Sequence, residues 1–398
     1  MAKKQKPAAA NGRNTYLTKI TEKPVSQTSK EMSDWRKAKR DAANVDNPKR
    51  VKLIELLMDV FQDLLLTSQV EQRIERSMGE PWRVVSAQTG EEDEAATAVL
   101  RASVGFSDIL YYILETPFWG HTVIELSHTA NAAGEADIAA TLIPRQNIVP
   151  NRGKMLFDVS GDAGVIYTEA PEYGVSLLEF GDKDDLGLLN KAVPMALFKR
   201  FCTQCWAQLC EIYGIPPRYL KTDTTDPAML DRAEAMMRDL GAAAWFIIDT
   251  TEEFQFANAI PTTGDVYNNF ITLCDSQMSL LITGAQVGQD TRNGNRSKEE
   301  VSIELLEKKA AADRRLAANY LNSRVLPALY LMGFVPAGLR FEWVAEEDKA
   351  EQWARVKDAM PFYEIDPEWI RTRFGIEVTG VRKAPEAAQL SAGVGFFD

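Results

Sequence analysis

Cys202-x-x-Cys205 is the first spacing in this chain that suits a metal ion or a redox dithiol. A structural zinc site takes four ligands, and the only two histidines, His121 and His128, lie far upstream on a different element. Within FKRFCTQCWAQLCEIYG the three-residue spacing sets both thiols on one helical face, so buried helix cysteines are expected. Four cysteines in 398 residues, Cys202, Cys205, Cys210 and Cys274, suit a reducing compartment. Asp182, Asp184 and Asp185 in GDKDD supply the oxygen ligands a hard divalent cation prefers. No histidine or further acid is spaced to complete that shell, and a hydrated turn is the plainer expectation.

The stretch ITGAQVGQDTRNGNRSKEE, Ile282 to Glu300, carries three glycines, two asparagines and two arginines between two helical segments. Glycine-rich turns that open onto a helix cradle phosphates with backbone N–H groups. A Walker loop needs G-x-x-x-x-G-K-[ST] after a buried strand, and no Lys-Ser or Lys-Thr follows Gly284, Gly288 or Gly294. Nucleotide binding is therefore not expected, and an exposed connection between helices is the default.

Composition narrows the classes further. The chain is 45% hydrophobic with a mean hydropathy of −0.24, as in a globular protein with enough length for two or three compact units. MAKKQKPAAANGR has no apolar core behind its charges, and no apolar run approaches a membrane span, so a cytoplasmic origin and no membrane partner are expected. The net charge is −12, yet residues 1 to 50 hold thirteen Lys/Arg against five Asp/Glu. A basic arm precedes an acidic body. Such an arm is usually solvated, or it touches nucleic acid or an acidic neighbour. The acidic body argues against tight wrapping of duplex DNA, which needs neutralised phosphates.

The elements that would hold these groups follow from hydrophobic period. One short helix is expected near Glu31 to Ala43, then a helix over NPKRVKLIELLMDVFQDLLLTSQVEQRIERSM with a stripe at Leu53, Leu56, Leu57, Val60, Phe61, Leu64 and Leu65. PWRVVSA reads as a strand and FSDILYYILETPFWG as a helix; HTVIELSHTA, IAATLIPRQNIVP, KMLFDVS, GVIYTE and VSLLEF read as strands. From Leu186 a long apolar helix runs to Gly214, ahead of Pro216 and Pro217. Asp226 caps a helix that starts at Pro227, and AAAWFIIDTTEEFQFANA supplies two strands around an Asp249 to Glu253 turn. VYNNFITLCDSQMSLLITG is helical, and a very long helix with Ser297 and Glu300 as a capping box ends near Phe334. The fold class is α+β.

This order, with the segment GLLNKAVPMALFKRFCTQCWAQLCEIYGIPPRYLKTD from Gly187 to Asp223, resembles the portal proteins of tailed bacteriophages, and most closely the Mu-like portal family. The Gly-Leu-Leu start, the Phe-Lys pair and the Glu-Ile-Tyr-Gly-Ile-Pro end carry the resemblance, which runs from about Val51 to Phe334. Residues 340 to 398 match no family pattern by this reading. The resemblance implies a portal-like fold: a mostly disordered arm over 1–48, an α/β wing over 49–185, stem helices over 186–214 and 266–284, and a small α/β clip over 215–265. It further implies a tunnel loop over 285–298, a long wing helix over 299–335 and a helical crown over 336–398, the last with Trp343, Trp353 and Trp369 as its aromatic packing.

It also implies a function that resides in shape. Twelve identical subunits would form a ring at one capsid vertex of the virion, the channel for packaging and ejecting double-stranded DNA. Further partners implied are the terminase large subunit, head–tail adaptor proteins and the major capsid protein. No catalytic residue, metal or cofactor is implied. Gly284, Gln286, Gly288, Gln289, Arg292, Asn293, Gly294, Asn295, Arg296 and Lys298 would then line the narrowest part of the channel. Glycine and short polar side chains bend without gripping, and the cationic side chains touch passing phosphates transiently. Two other classes stay open: a metal-dependent nucleic-acid hydrolase, which needs converging carboxylates, and a head scaffold or adaptor without DNA contact.

Overall fold

Apolar spacing and polar end-caps account for most of the helices. The computed structural model describes residues 32–130, 134, 136–214, 218–239, 245–251, 265–286, 296–344, 349–360 and 365–376. It opens with α1 (Met32–Ala42), α2 (Val51–Val60) and α3 (Leu64–Met78). The single helix expected over the Leu53 to Leu65 stripe is two. Asp63 breaks it by accepting from the amides of Leu65 and Leu66 at 3.1 Å, which restarts the helix and leaves Leu64 exposed on its first turn. α1 stands where a short helix was expected, and it is docked rather than free: Ala38 and Ala42 are buried, and Trp35 Nε1 donates to Asn190 Oδ1 at 2.9 Å.

β1 (Trp82–Ser86) and α4 (Glu94–Ala102) lead into α5 (Val104–Trp119), the central helix. Phe106, Ile109, Leu110, Ile113, Leu114 and Phe118 are all buried, because α5 meets helices on one side and a sheet on the other. That sheet has the antiparallel order β3 (Ala136–Leu142), β2 (His121–Ala130), β7 (Leu177–Gly181), with Ile124 opposite both Leu142 and Leu178. Gly120 makes the corner between α5 and β2 with φ at +85°, and a Cβ there would stand 2.5 Å from the Asp185 carbonyl oxygen, so only glycine fits.

β2 is covered on both faces. Ile124 and Leu126 join the main core, while Val123 joins a second cluster with Ile143, Ile148, Met155, Tyr167 and Leu177. That cluster sits under a small sheet of β4 (Ile148–Val149), β5 (Lys154–Leu156) and β6 (Gly164–Ile166). Double coverage forces polar groups on β2 to find partners. His121 Nε2 lies 2.7 Å from Glu179 Oε1, which also accepts from Tyr167 Oη at 2.8 Å, while Tyr173 Oη donates to Glu179 Oε2 at 2.7 Å.

α6 (Gly187–Gly214) and α8 (Asp265–Thr283) are long helices packed on each other. Phe198 meets Phe270, Trp206 stacks on Tyr267, and Lys199 Nζ lies 2.7 Å from Asp275 Oδ1, contacts that set the pair antiparallel. Cys202 is buried against α8, its Sγ 3.6 Å from the Tyr267 carbonyl oxygen, as expected; Cys205 is half-buried. Between them lie β8 (Arg218–Thr222), α7 (Pro227–Asp239) and β9 (Trp245–Asp249). Asp226 accepts from the Ala228 amide at 2.9 Å, the expected cap. The first strand expected there, β9, pairs in parallel with β8, Leu220 opposite Ile247, and α7 is the crossover. The second expected strand, EEFQFANA, lies outside the described residues.

α9 (Arg296–Tyr320) starts one residue before Ser297, so Ser297 lies inside the helix and not at its cap. The helical path continues through a π-helical stretch, Leu321–Val325, and α10 (Leu326–Leu331). β10 (Leu339–Trp343) then pairs antiparallel with β1, Val84 opposite Phe341. Trp343 therefore belongs to this body, its Nε1 donating to the Arg314 carbonyl at 2.8 Å, and not to a C-terminal helical crown. A separate unit after Val344 holds α11 (Lys349–Ala359) and α12 (Pro367–Phe374), with the Phe374 ring 5.1 Å from that of Trp353 and 5.8 Å from that of Trp369.

The buried polar group on β2 sets a pH dependence. Burial lowers the His121 pKa below its ordinary 6.5, with the Glu179 hydrogen bond opposing, so the imidazole is neutral. Burial pushes Glu179 up, but hydrogen bonds from His121, Tyr173 and Tyr167 outweigh it and hold the carboxyl at about 2. Both folded-state values lie below the unfolded ones, so both contributions are present at high pH and lost on acidification. The His121 contribution fades first, below pH 6.5, and that of Glu179 fades from pH 4.5 toward about 2. Melting temperature is expected to fall between pH 7 and pH 5, and His121→Gln is expected to flatten that interval while leaving the fall below pH 4.5. An unchanged slope between pH 7 and pH 5 in the variant would assign it elsewhere.

Candidate nucleic-acid interface

The glycine-bearing segment joins α8 to α9, and its two attachment points are the described parts of it. Gly284 follows α8 with φ at +81°, its amide donating to the Leu280 carbonyl at 3.1 Å, a left-handed C-terminal cap. Ala285 is buried and Gln286 exposed. Thr283 Oγ1 donates to the Ser279 carbonyl at 2.9 Å and lies 3.2 Å from the Ala285 carbonyl, closing the turn. Arg296 and Lys298 stand in the first turn of α9. Gly288, Gln289, Arg292, Asn293, Gly294 and Asn295 lie outside the described residues. Of the expected channel set, the structure thus locates Gly284, Gln286, Arg296 and Lys298 along the backbone, at the two ends of one connection.

The anchorage of that connection was not foreseen from sequence. Arg73 on α3 is buried; its Nε and Nη2 donate to Asp313 on α9 at 2.6 and 2.8 Å, and its Nη1 donates to the Ile282 carbonyl in the last turn of α8 at 2.7 Å. The guanidinium also stands over the Phe118 ring at 5.2 Å. Gln69, one turn earlier, donates to Ser279 Oγ at 2.7 Å, and Ser77, one turn later, donates to the Arg73 carbonyl at 3.1 Å. The sequence signal is a polar line, Gln69, Arg73, Ser77, at four-residue spacing beside the buried line Leu66, Val70, Ile74. Polar side chains at core spacing need buried partners.

Nearer the surface, Arg76 Nε donates to Glu307 Oε2 at 2.7 Å, and Arg314 joins the same carboxylate. Burial works against the charged Glu307, but hydrogen bonds from Arg314 and Arg76 prevail and hold its pKa below the usual range. Lys199 on α6 bridges Asp63 and Asp275 at 2.9 and 2.7 Å. Burial lowers its pKa, and the two carboxylates more than reverse that.

The acidic set of Asp182, Asp184 and Asp185 is engaged in turns. Asp182 accepts from the Asp184 amide and Asp185 from the Gly187 amide, both at 2.9 Å, and Asp184 accepts from Asn151. Among the described residues no three His, Cys, Asp or Glu side chains converge as ion ligands do.

A family model for the portal protein of Mu bacteriophage matches residues 54–376, from α2 to just beyond α12. The class defined by this match is that of phage portal proteins. The chain belongs to the family of the portal protein of Mu bacteriophage. Its match carries through β10, α11 and α12, so residues 340–376, where no pattern was read from the sequence, are part of the family region. No curated protein matches the chain. Among solved structures it is similar to a chain in the neck of an empty GTA particle computed with C6 symmetry, at 13% identity and TM-score 0.47, covering 92% of this chain and 98% of that one. It is also similar to an HK97 family phage portal protein from Corynebacterium diphtheriae, at 12% identity and TM-score 0.37, covering 76% and 96%.

Removing the buried cation tests the anchorage. Arg73→Met strands Asp313 and is expected to cost about 3–5 kcal/mol, read as the shift in urea midpoint. Arg73→Met with Asp313→Leu is expected to recover most of that loss, since no charge is then left alone. Gly284→Ala, forced into the left-handed region, is expected to cost about 1–3 kcal/mol.

Proposed function

We propose that this chain is the subunit of a twelve-membered portal ring at one capsid vertex, through which double-stranded DNA passes during packaging and ejection. The observation that carries the reading is the family match over residues 54–376. The role is structural rather than catalytic. On this reading α6 and α8 are the stem, the β8–α7–β9 unit belongs to the clip, the body around α5 is the wing, and the segment after Gly284 is the tunnel loop. Terminase and head–tail adaptors dock on the clip side, and the major capsid protein surrounds the wing.

Two features support the reading. First, the connection leaves α8 where the buried Arg73 holds the Ile282 carbonyl, and the same guanidinium ties α3 to α9 through Asp313. A duplex that slides demands weak, exchangeable contacts, and Arg292, Arg296 and Lys298 supply phosphate contacts that salt readily screens. Second, α6 and α8 expose Phe198, Phe201, Val266, Phe270 and Leu273, apolar area that a ring of head-to-tail neighbours would cover.

Native mass measurement and negative-stain microscopy are expected to show a large closed ring; a monomer of 44.4 kDa at micromolar concentration would end the reading. Arg292→Ala with Arg296→Ala is expected to leave ring assembly intact and to slow DNA packaging several-fold. Packaging at the parent rate would remove phosphate contact from the loop's role.

A further inference from the structure

A cleft of about 400 Å³ opens where the chain enters α2, between residues 47–51 and the small sheet of β4, β5 and β6. It lies far from the tunnel loop in sequence, and its chemistry stands independently of the portal reading. Lys49, Arg50, Arg152 and Lys154 line it, against a single acidic residue, Asp162.

None of these cations has a carboxylate in contact among the described residues; the hydrogen bonds they make go to neutral acceptors. Arg50 donates to the Asp185 carbonyl at 3.0 Å, the Lys183 carbonyl and Asn151 Oδ1. Arg152 donates to the carbonyls of Val45 and Asp46 at 3.2 and 2.7 Å, and Lys154 to the carbonyl of Asp162 at 2.5 Å. Arg50 is 4% exposed, and a buried guanidinium without a touching anion is costly. Burial lowers its pKa, with Asp184 and Asp185 opposing from beyond contact distance.

Two orphaned atoms sharpen the chemistry. Arg50 Nε and Gln146 Oε1 are buried without a hydrogen-bond partner, and both side chains line the cleft. One is a donor and the other an acceptor. A phosphodiester offers acceptors alone, whereas a peptide with acidic side chains offers carboxylate oxygens and N–H donors together. The volume is at the low end of the range for ligand sites, suited to a few side chains and too small for a duplex groove. Both orphaned atoms lie beneath the cleft surface, so engaging them takes a side-chain rotation as well as a ligand.

We infer that this cleft binds an acidic peptide segment of another protein, with Arg50, Arg152, Lys49 and Lys154 receiving its carboxylates and Gln146 accepting from one of its N–H groups. The probe is a fluorescein-labelled acetyl-(Asp-Glu)4 amide, titrated by anisotropy with the full-length protein at low salt. Lys49→Gln with Lys154→Gln is expected to weaken binding tenfold or more at an unchanged melting temperature, and Gln146→Ala several-fold. The uncharged Asn-Gln analogue is expected to bind at least tenfold more weakly than the acidic peptide. The basic segment before residue 32 attracts acidic peptide equally in parent and variants, so the difference between them reads the cleft. Equal affinity in parent and double variant overturns the inference. So does displacement of the peptide by inorganic phosphate or by a short DNA duplex at lower concentration than by unlabelled peptide, which would make this a phosphate site. Should the double variant fail to fold, Arg152→Gln on the rim carries the same test with the same two outcomes.

Discussion

The buried guanidinium of Arg73 is the constraint around which the helices of the main body are registered. It takes both oxygens of Asp313 on α9, one backbone carbonyl at the end of α8, and the face of Phe118 on α5. A charge held this far from water tolerates no slippage, because a shift of one element strands a donor or an acceptor at a cost of about 1–3 kcal/mol or more. An apolar trio of similar volume would hold the three helices as strongly or more so. What the ion pair adds is direction: two parallel N–H···O bonds fix the rotation of α3 against α9, and the third fixes where α8 ends. The segment that follows α8 therefore starts at a set position.

A second constraint acts on the sheet. Strands covered on one face can leave their polar residues to solvent, but β2 has the main core on one side and the Tyr167 cluster on the other. Two polar residues of its buried stretch are matched internally: His121 to Glu179, and Thr122 to Thr116 Oγ1 at 2.9 Å. Glu179 is satisfied by three side chains at once. The acid sensitivity expected of the fold and the order of this sheet come from the same double coverage.

Most elements were legible because local signals and tertiary packing agree. Helix α5, the strands from His121 to Gly181 and the long helix from Gly187 were readable from period and from glycine punctuation alone. Some of what was missed turned on a partner distant in sequence. RYLKT carries no assignment until β9 stands beside it in parallel, since nothing in five residues announces a crossover strand. Trp343 reads as part of a C-terminal helical module until β1, some 260 residues earlier, is placed against it. The break before α3 was a local signal overlooked, for Asp63 is a strong N-cap inside an apolar run. The anchorage of the candidate site was invisible for a different reason. Arg73 and Asp313 are 240 residues apart, and spacing rules see polar lines on a helix without naming what answers them.

The long helices show the limit of reading amphipathicity as burial. Apolar residues on α6 occur on more than one side: Leu189, Val193, Ala196 and Leu197 are in the core, while Phe201, on the next turn, is 67% exposed. On α8 the exposed Val266, Phe270 and Leu273 come first along the helix, and the inward Cys274, Met278 and Ile282 follow. Phe198 and Phe270 touch across the helix pair, so exposed apolar residues of the two helices meet there, in a strip that on α8 follows the three- and four-residue spacing of Val266, Phe270 and Leu273. Scattered apolar side chains on a surface need no explanation, but a strip of aromatic and branched residues does. In an isolated chain it would favour indiscriminate association. Lys199 and Arg200 are committed to Asp63, Asp275 and Asp59, so their charges are answered within the subunit. Exposed apolar side chains on such a helix pair suit a fixed neighbour, which is what a closed ring supplies.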